Sequence, residues 1–285
     1  MYTYSVSHAI TFTVFPPPAI LAHDIECIRV ATHEGSDQGL EVKVCPNGLP
    51  GLVFGLSEKG TSAIESIATS LFNVTDIPIL FLHGQGATPS IMRFSKGGYT
   101  TIQVVLKPYA LYDLFALDAS ELGKGFMVPE DFGEPDLTEK ICQAGTDSER
   151  ITLLCDALTR KKEQSSRRDE MIEKSLELIH NNIASVAIKD LPGKLHVSER
   201  QFQKRFARVV GMPAQLYLRV KRVNEALRLM STGQYERLSD VAYALNFYDQ
   251  PHFIREMKTF SWVTPKDITQ KVRDFHQDLG GASYL

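Results

Sequence analysis

The period of the hydrophobic pattern changes near Pro135. Before this point, short apolar runs such as GLEVKVC and YTTIQVVLKP are separated by Gly- and Pro-rich turns, which is typical of antiparallel strands. After it, apolar residues recur at helical spacing, because Ile151, Leu154, Cys155 and Leu158 fall at i, i+3, i+4 and i+7. We therefore predict an α+β protein with two domains, a mostly antiparallel β sandwich or small barrel followed by an all-α domain.

The predicted domain boundary lies in a polar segment. KKEQSSRRDE (161–170) has no apolar residue that would anchor it to a core, and a chain of 285 residues fits two domains better than one core. We expect a β domain over 1–160 that ends in helices, a linker over 161–168 and a helical domain over 169–285.

The two halves differ in charge. The net charge is −3, but residues 166–285 hold 19 Lys and Arg against 14 Asp and Glu, while the first 165 residues are acidic. A basic half beside an acidic half suggests that only the helical half meets a polyanion. No apolar run approaches the roughly 20 residues of a membrane span, and the first basic residue is Arg29, so no signal peptide is expected. We predict a cytoplasmic protein that contacts no membrane.

The cysteine pattern gives no metal or redox motif. The four cysteines are far apart and form no C-x-x-C. We expect them to be buried free thiols.

One short basic helix suggests a nucleic-acid contact. In VSERQFQKRFARVVG (197–211), Ser198 and Gln201 form a capping box, and Phe202, Phe206 and Val209 form a buried stripe. The rest of the surface is polar and basic. A short helix, a tight turn and such a second helix are typical of a helix-turn-helix unit, although a solvated amphipathic helix is the alternative for one unit alone.

The hydrogen-bonding groups and charges of the polar side chains on this helix predict their roles. Arginine pairs bidentately with guanine and glutamine with adenine in the major groove. Basic side chains further along the helix suit phosphates, which carry no sequence information. The predicted DNA contacts of this unit are Arg200, Gln203, Lys204 and Arg208.

A second unit follows about forty residues later. In LSDVAYALNFYDQPHFIREMKTF, Asp249 can cap a helix whose buried stripe contains Phe253, Met257 and Phe260. A helix from Pro213 to about Leu229 connects the units and spans roughly 25 Å at 1.5 Å per residue. The predicted DNA contacts of this unit are Gln250, His252, Arg255 and Lys258.

Four stretches resemble the DNA-binding domain of AraC/XylS-type transcription regulators. These are DLPGKLHVSERQFQKRFARVVG, RVNEAL, DVAYALNFYDQPHFIREMK and VTPKDI, and the similarity covers about 169–270. The resemblance implies seven helices and DNA recognition by one chain through two helices. Carried over by position, the first helix would use Arg200, Gln203 and Lys204, and the second Gln250, His252 and Arg255.

Several positions depart from the family pattern, and four of them lie at a helix start or in a turn. Pro192 stands where the first helix of unit one usually has alanine, so that helix is expected to start late or to kink. His196, Asn246 and Trp262 stand where the family has turn glycines. Of these residue types, asparagine tolerates the left-handed conformation best.

The first half resembles the degenerate cupin-type domain of such regulators. The stretches that carry this likeness are FPPPAILAHDIECIRV, CPNGLPGLVF and VVLKPYALYDLF. The resemblance implies a domain that senses a small molecule or forms a dimer. Four aromatic residues are candidates for lining a pocket, although such residues more often belong to a core: Tyr99, Tyr109, Tyr112 and Phe115.

A metal-dependent cupin-like enzyme with an appended helical module is the alternative function. Against it, His8, His23, His33 and His83 form no H-x-H, and a lone His83 is more often structural than a metal ligand. We therefore predict a DNA-binding transcription regulator that is not an enzyme and has neither cofactor nor metal. Its predicted partner is double-stranded DNA, and further candidates are RNA polymerase, an unidentified small-molecule effector and a second copy of the chain.

Overall fold

The computed structural model describes residues 1–7, 10–122, 125–233, 235–270, 276–278 and 281–284. Its strands are β1 (Tyr2–Ser7), β2 (Ile10–Phe15), β3 (Ile25–His33), β4 (Leu40–Val44), β5 (Gly51–Ser57), β6 (Ile64–Thr69), β7 (Asn73–Thr75), β8 (Leu80–His83), β9 (Ser90–Phe94), β10 (Tyr99–Leu106), β11 (Phe126–Met127), β12 (His276–Asp278) and β13 (Gly281–Tyr284).

The helices fall into two groups. The first group, α1 to α3, follows β10, and the second begins after a short non-helical segment. They are α1 (Ala110–Phe115), α2 (Leu137–Gln143), α3 (Asp147–Gln164), α4 (Glu170–Asn181), α5 (Leu191–Lys194), α6 (Glu199–Val210), α7 (Ala214–Ser231), α8 (Leu238–Ala244), α9 (Gln250–Ser261) and α10 (Pro265–Gln270). None of these helices combines the length and the apolar character that crossing a bilayer requires.

Two antiparallel sheets form the β domain, as the sequence predicts. Their strand orders are β1-β2-β3-β10-β5-β8-β11 and β12-β13-β4-β9-β6-β7. Strand β5 is buried on both faces: Leu52 and Phe54 face helices α1–α3, while Val53 packs with Ile67 and Phe81 of the other core cluster. A strand buried on both sides carries a continuous apolar run, which explains the sequence GLVFGL.

Helix α3 packs onto its own β domain. Its stripe of Leu154, Cys155 and Leu158 is buried in the core that contains Phe54, with Ile151 at the edge. Because this stripe is covered within the chain, it offers no surface to a second copy.

The segment between the domains is shorter than the predicted linker. Helix α3 continues through Gln164 and α4 begins at Glu170, so the first four residues of the predicted 161–168 linker are helical. The capping box of Thr146 and Glu149 starts this long helix, and its polar last turn needs no tertiary anchor to remain hydrogen-bonded.

Among its described residues, the helical domain has the seven helices implied by the resemblance, α4 to α10. Pro192 lies in the first turn of α5, which follows a short 3-10 turn over Ile188–Asp190. The missing N–H of proline costs nothing there, so the expected late start of this helix is confirmed. At the three positions where family glycines are replaced, φ is positive: 53° at His196, 55° at Asn246 and 56° at Trp262.

The last described residues correct the prediction of an all-α domain over 169–285. Strands β12 and β13 extend the second sheet, where Ser283 pairs with Val44 of β4. Ala282 and Tyr284 are buried, and the Tyr284 hydroxyl donates to the Ser261 carbonyl at 2.7 Å. The open edge of β4 supplies unpaired backbone groups that a distant segment can satisfy.

All four cysteines are free thiols, as expected. Cys27, Cys45 and Cys155 are buried, and Cys142 is half-buried. Burial raises the pKa of the Cys155 thiol to about 11, which leaves it protonated and unreactive at neutral pH.

His196→Gly should stabilise the helical domain by about 1 kcal/mol, because glycine adopts the left-handed conformation without a Cβ penalty. His196 is exposed, so little contact is lost. Urea denaturation measures the change. Lys194→Gly, at a right-handed position of α5, is the matched control and should lower stability by roughly 0.5–1 kcal/mol. An unchanged or lower urea midpoint for His196→Gly would contradict the backbone strain that we predict at His196.

Candidate nucleic-acid interface

Helix α6 buries one face and exposes the other. The Ser198 hydroxyl accepts the Gln201 N–H at 3.3 Å, and the Gln201 side chain accepts the Ser198 N–H at 3.3 Å, which is the predicted capping box. Phe202 and Phe206 are fully buried with ring centroids 5.7 Å apart. Gly211, at φ 88°, ends the helix. The buried rings fix which side of α6 faces solvent.

Three predicted contacts lie together on the first turns of α6. Arg200, Gln203 and Lys204 are related by i, i+3 and i+4 and share one side of the helix. Arg200 and Lys204 are exposed and Gln203 is half-buried. Within the described chain, none of the three side chains makes a hydrogen bond or an ion pair. They are therefore available to a ligand.

Arg205 on the same helix is already engaged. It donates twice to Asp169, at 2.9 and 2.7 Å. The Asp169 carboxylate also caps α4 by accepting the Ile172 N–H at 3.1 Å. This bidentate pair joins α6 to α4 and sets the angle between them.

Arg208 lies apart from the other predicted contacts. Its guanidinium stacks 5.1 Å from the Tyr112 ring of α1, and Arg167 lies 5.8 Å from the same ring. A Cβ at Gly211 would lie 2.9 Å from the carbonyl oxygen of Ala119. The end of α6 is thus packed against the β domain, and only its beginning is free.

Helix α9 presents the second set of predicted contacts. Asp249 caps it by accepting the His252 N–H at 2.6 Å. Gln250, Arg255 and Lys258 are exposed, and His252 is half-buried. The His252 Nδ1 accepts the backbone N–H of Tyr248 at 3.3 Å, so this ring holds the turn as well as facing the surface.

The connecting helix α7 is fixed to both units. Arg219 donates to the buried Glu256 of α9 at 2.9 and 2.8 Å and lies 5.1 Å from the Phe260 ring. Arg222 donates to three carbonyls after α4, which are those of Ile183, Ala184 and Val186. Because one rigid helix is bonded to both units, the separation of α6 and α9 is set by the fold.

Two exposed tyrosines accompany the second unit and were missed in the sequence. Tyr248 is 90% exposed in the turn just before Asp249, and Tyr243 on α8 is 75% exposed. A large exposed aromatic residue beside the start of a recognition helix is informative, since such rings are usually buried. The available signal was an aromatic residue within the turn NFYDQ.

A cavity of about 470 Å³ lies between the two sheets of the β domain. Its walls are mostly apolar, and its rim includes Gly211, Met212 and Pro213 between α6 and α7. Among the described lining residues, Arg29 is the one that carries a permanent charge, and it pairs with Asp278 at 3.2 Å. The volume falls within the range of small-molecule sites.

His83 lines this cavity as a satisfied side chain. Its Nδ1 donates to the Gly84 carbonyl at 2.9 Å, and burial lowers the pKa of the imidazole, which keeps it neutral. Of the predicted pocket aromatics, Tyr99 lines the cavity. Tyr112 lies under Arg208 instead, and Phe115 packs on Phe132 with ring centroids 5.2 Å apart.

Comparisons with known proteins match both domains. A family model described as Helix-turn-helix domain matches residues 192–271. A model described as Domain of unknown function (DUF6597) matches residues 13–127. No curated protein matches the chain.

Several solved structures are similar. ToxT from Vibrio cholerae matches 91% of this chain and 97% of its own, with 13% identity and a TM-score of 0.46. ToxT from strain SCE256, bound to an unsaturated fatty acid, matches 92% and 95%, with 14% identity and a TM-score of 0.44. The DNA-binding domain of the global transcriptional factor AdpA, in complex with a target DNA, matches 35% and 90%, with 21% identity and a TM-score of 0.33.

The family match and the geometry agree. The matched region contains both recognition helices, each capped, each buried on an aromatic stripe, and both bonded to the same connecting helix. The chain thus carries a helix-turn-helix domain with two units, as its resemblance to AraC/XylS-type transcription regulators predicts.

Proposed function

We propose that the protein binds promoter sequences by placing α6 and α9 in successive major grooves on one face of the DNA. The observation that carries this proposal is the double attachment of α7 through Arg219 and Arg222. The 18 residues of α7 span about 27 Å. Successive major grooves lie about 34 Å apart, so the fit is completed by a modest bend of the DNA.

The exposed side chains divide into two roles. Arg200 and Gln203 on α6, and Arg255 on α9, occupy positions from which base edges can be read. Lys204 and Lys258 suit phosphates, because a flexible ammonium group neutralises charge without selecting a base. Gln250 joins the base-reading group of α9, while His252 positions the turn before that helix.

Arg208 receives a different role. Its stacking on Tyr112 and the packing of Gly211 against Ala119 place it between the domains. We assign it to communication between the β domain and α6. The Tyr248 hydroxyl, exposed beside the start of α9, is added as a contact to the DNA backbone.

The cavity of the β domain suits an effector that is mainly apolar. A molecule bound there would touch the turn from Gly211 to Pro213 and would change the position of α6 relative to α7. The described lining holds one histidine and no carboxylate, which gives no support to a cupin-like metal enzyme. Binding of RNA polymerase and of a second copy of the chain stay predictions. A cytoplasmic location also stays a prediction, and it would give the protein access to promoter DNA.

The full chain should bind duplex DNA with an affinity that falls steeply as salt rises, because each neutralised phosphate contributes about −0.9 to the slope of log K against log salt. Lys258→Ala should weaken binding to all sequences about equally and reduce the slope by about one. Fluorescence anisotropy over a salt series measures both. Arg93→Ala, on the β domain, is the control. A folded chain with no salt-dependent binding would exclude the proposed function.

Arg200→Ala should cost about 1–3 kcal/mol on a site selected from a random DNA library and should relax preference at one base pair. The measurement compares the selected site with a scrambled duplex, with circular dichroism as the folding check. Phe206→Ala serves as the contrast, because removing this buried ring should unfold the unit at a cost of roughly 3–5 kcal/mol. Equal losses on both duplexes would mean that Arg200 touches only phosphate.

Ile67→Trp should fill the cavity and abolish binding of a hydrophobic fluorescent probe, anilinonaphthalene sulfonate, while DNA binding persists. Ile67 is buried and lines the cavity, so the larger ring takes up the volume that the probe would occupy. Ile20→Trp, at a position that is 51% exposed, is the matched control. Undiminished probe binding by Ile67→Trp would place the probe outside this cavity.

A further inference from the structure

A cluster of titratable side chains lies where the β domain meets α4. His23 and Asp24 immediately precede β3, and Asp113 belongs to α1. One ligand atom from each of the three lies within 4.8 Å of the other two. None of them lines the cavity between the sheets, so the cluster is separate from the proposed effector site.

Asp113 lacks a partner that its burial requires. It is 7% exposed, and its Oδ1 has no hydrogen-bond partner among the described residues. Buried carboxylates in native proteins are paired or coordinate a metal. The unpartnered Oδ1 is therefore suited to bind a cation.

His23 is oriented as metal-binding histidines are. Its Nε2 lies 3.1 Å from the Glu173 Oε2, and its Nδ1 lies 3.3 Å from the Asp24 Oδ1. In the neutral tautomer whose Nε2–H donates to Glu173, the lone pair of Nδ1 faces the Asp24 Oδ1, so these two acceptors need a proton or a metal cation between them. A cation between them removes this conflict and completes a carboxylate–histidine–metal arrangement.

The Asp24 carboxylate uses only one of its two oxygens to bind Lys162. The Lys162 ammonium bonds to its Oδ2 at 2.5 Å, which leaves Oδ1 directed at His23. Arg168 in turn pairs with Glu173 at 2.7 Å. Lys162 and Arg168 are thus paired with Asp24 and Glu173, and among the described residues no ion pair includes Asp113.

We propose that His23 Nδ1, one oxygen of Asp24 and one oxygen of Asp113 form a binding site for a divalent transition cation such as Zn²⁺. One imidazole and two carboxylates suit zinc, manganese or iron, whereas magnesium and calcium prefer oxygen ligands alone. Bonds of about 2.0–2.2 Å draw the ligand atoms together. Water completes the coordination, and the half-buried His23, whose side chain is 34% exposed, provides the path of entry.

The site would join the two domains. Its three ligands belong to the β domain, while Glu173, which holds the His23 ring, belongs to α4 of the DNA-binding domain. Binding of the ion fixes the His23 ring, and the fixed ring keeps its hydrogen bond to Glu173. The proposal does not depend on the proposed promoter binding, because metal binding is measured without DNA.

The test is titration of the metal-free full chain with Zn²⁺ by calorimetry and with Co²⁺ by visible absorption. We expect one ion per chain. Asp113→Asn and His23→Gln should each weaken binding by at least about a hundredfold, and Glu173→Gln by about 10–100-fold, the usual effect of losing an outer-sphere partner. Asp156→Asn and His252→Gln, exposed and half-buried positions away from the cluster, should bind as the wild type does.

Two results would overturn the proposal. One is the absence of stoichiometric binding by the wild-type chain. The other is wild-type affinity in both Asp113→Asn and His23→Gln, which would show that the ion binds at other histidines. Asparagine matches the shape of a neutral aspartic acid, so Asp113→Asn should fold. Should it fail to do so by circular dichroism, the more exposed His23→Gln decides the question.

Discussion

The ion pair between Arg219 and Glu256 is the interaction on which the geometry of the DNA-binding domain depends. Glu256 is 6% exposed, and a carboxylate removed from water in this way requires a close counter-charge. Arg219 supplies it in a bidentate geometry, while Arg222 of the same helix satisfies three carbonyls of the first unit. Two arginines one turn apart thus hold the two helix-turn-helix units in a fixed relative position.

The β domain contacts the DNA-binding domain at the C-terminal end of α6. The contact of Gly211 with Ala119 and the stacking of Arg208 on Tyr112 lie at one end of the helix, and Arg200 lies at the other. A helix of this length moves as a rigid rod, so in the proposed function a displacement at the cavity rim would reach the turn that carries Arg200. The proposed sensing and base-reading surfaces would thus lie at opposite ends of α6.

Local features of the helical domain could be predicted from the sequence because they depend on neighbouring residues. The capping box at Ser198, the stripe of Phe202 and Phe206, and the late start at Pro192 each follow from a few consecutive positions. The location of Arg208 could not be predicted, because its partner Tyr112 belongs to the other domain. The cluster of His23 and Asp113 is equally invisible, since no motif spacing joins residues that meet only after folding.

The pairing of β13 with β4 has a consequence for the order in which the molecule is built. The edge of β4 at Val44 is translated early, but its neighbour at Ser283 leaves the ribosome only after the entire helical domain. Until then the second sheet keeps an open edge, which is prone to pairing with other chains. The nascent protein is therefore prone to aggregation until β12 and β13 have been synthesised and have covered the edge of β4.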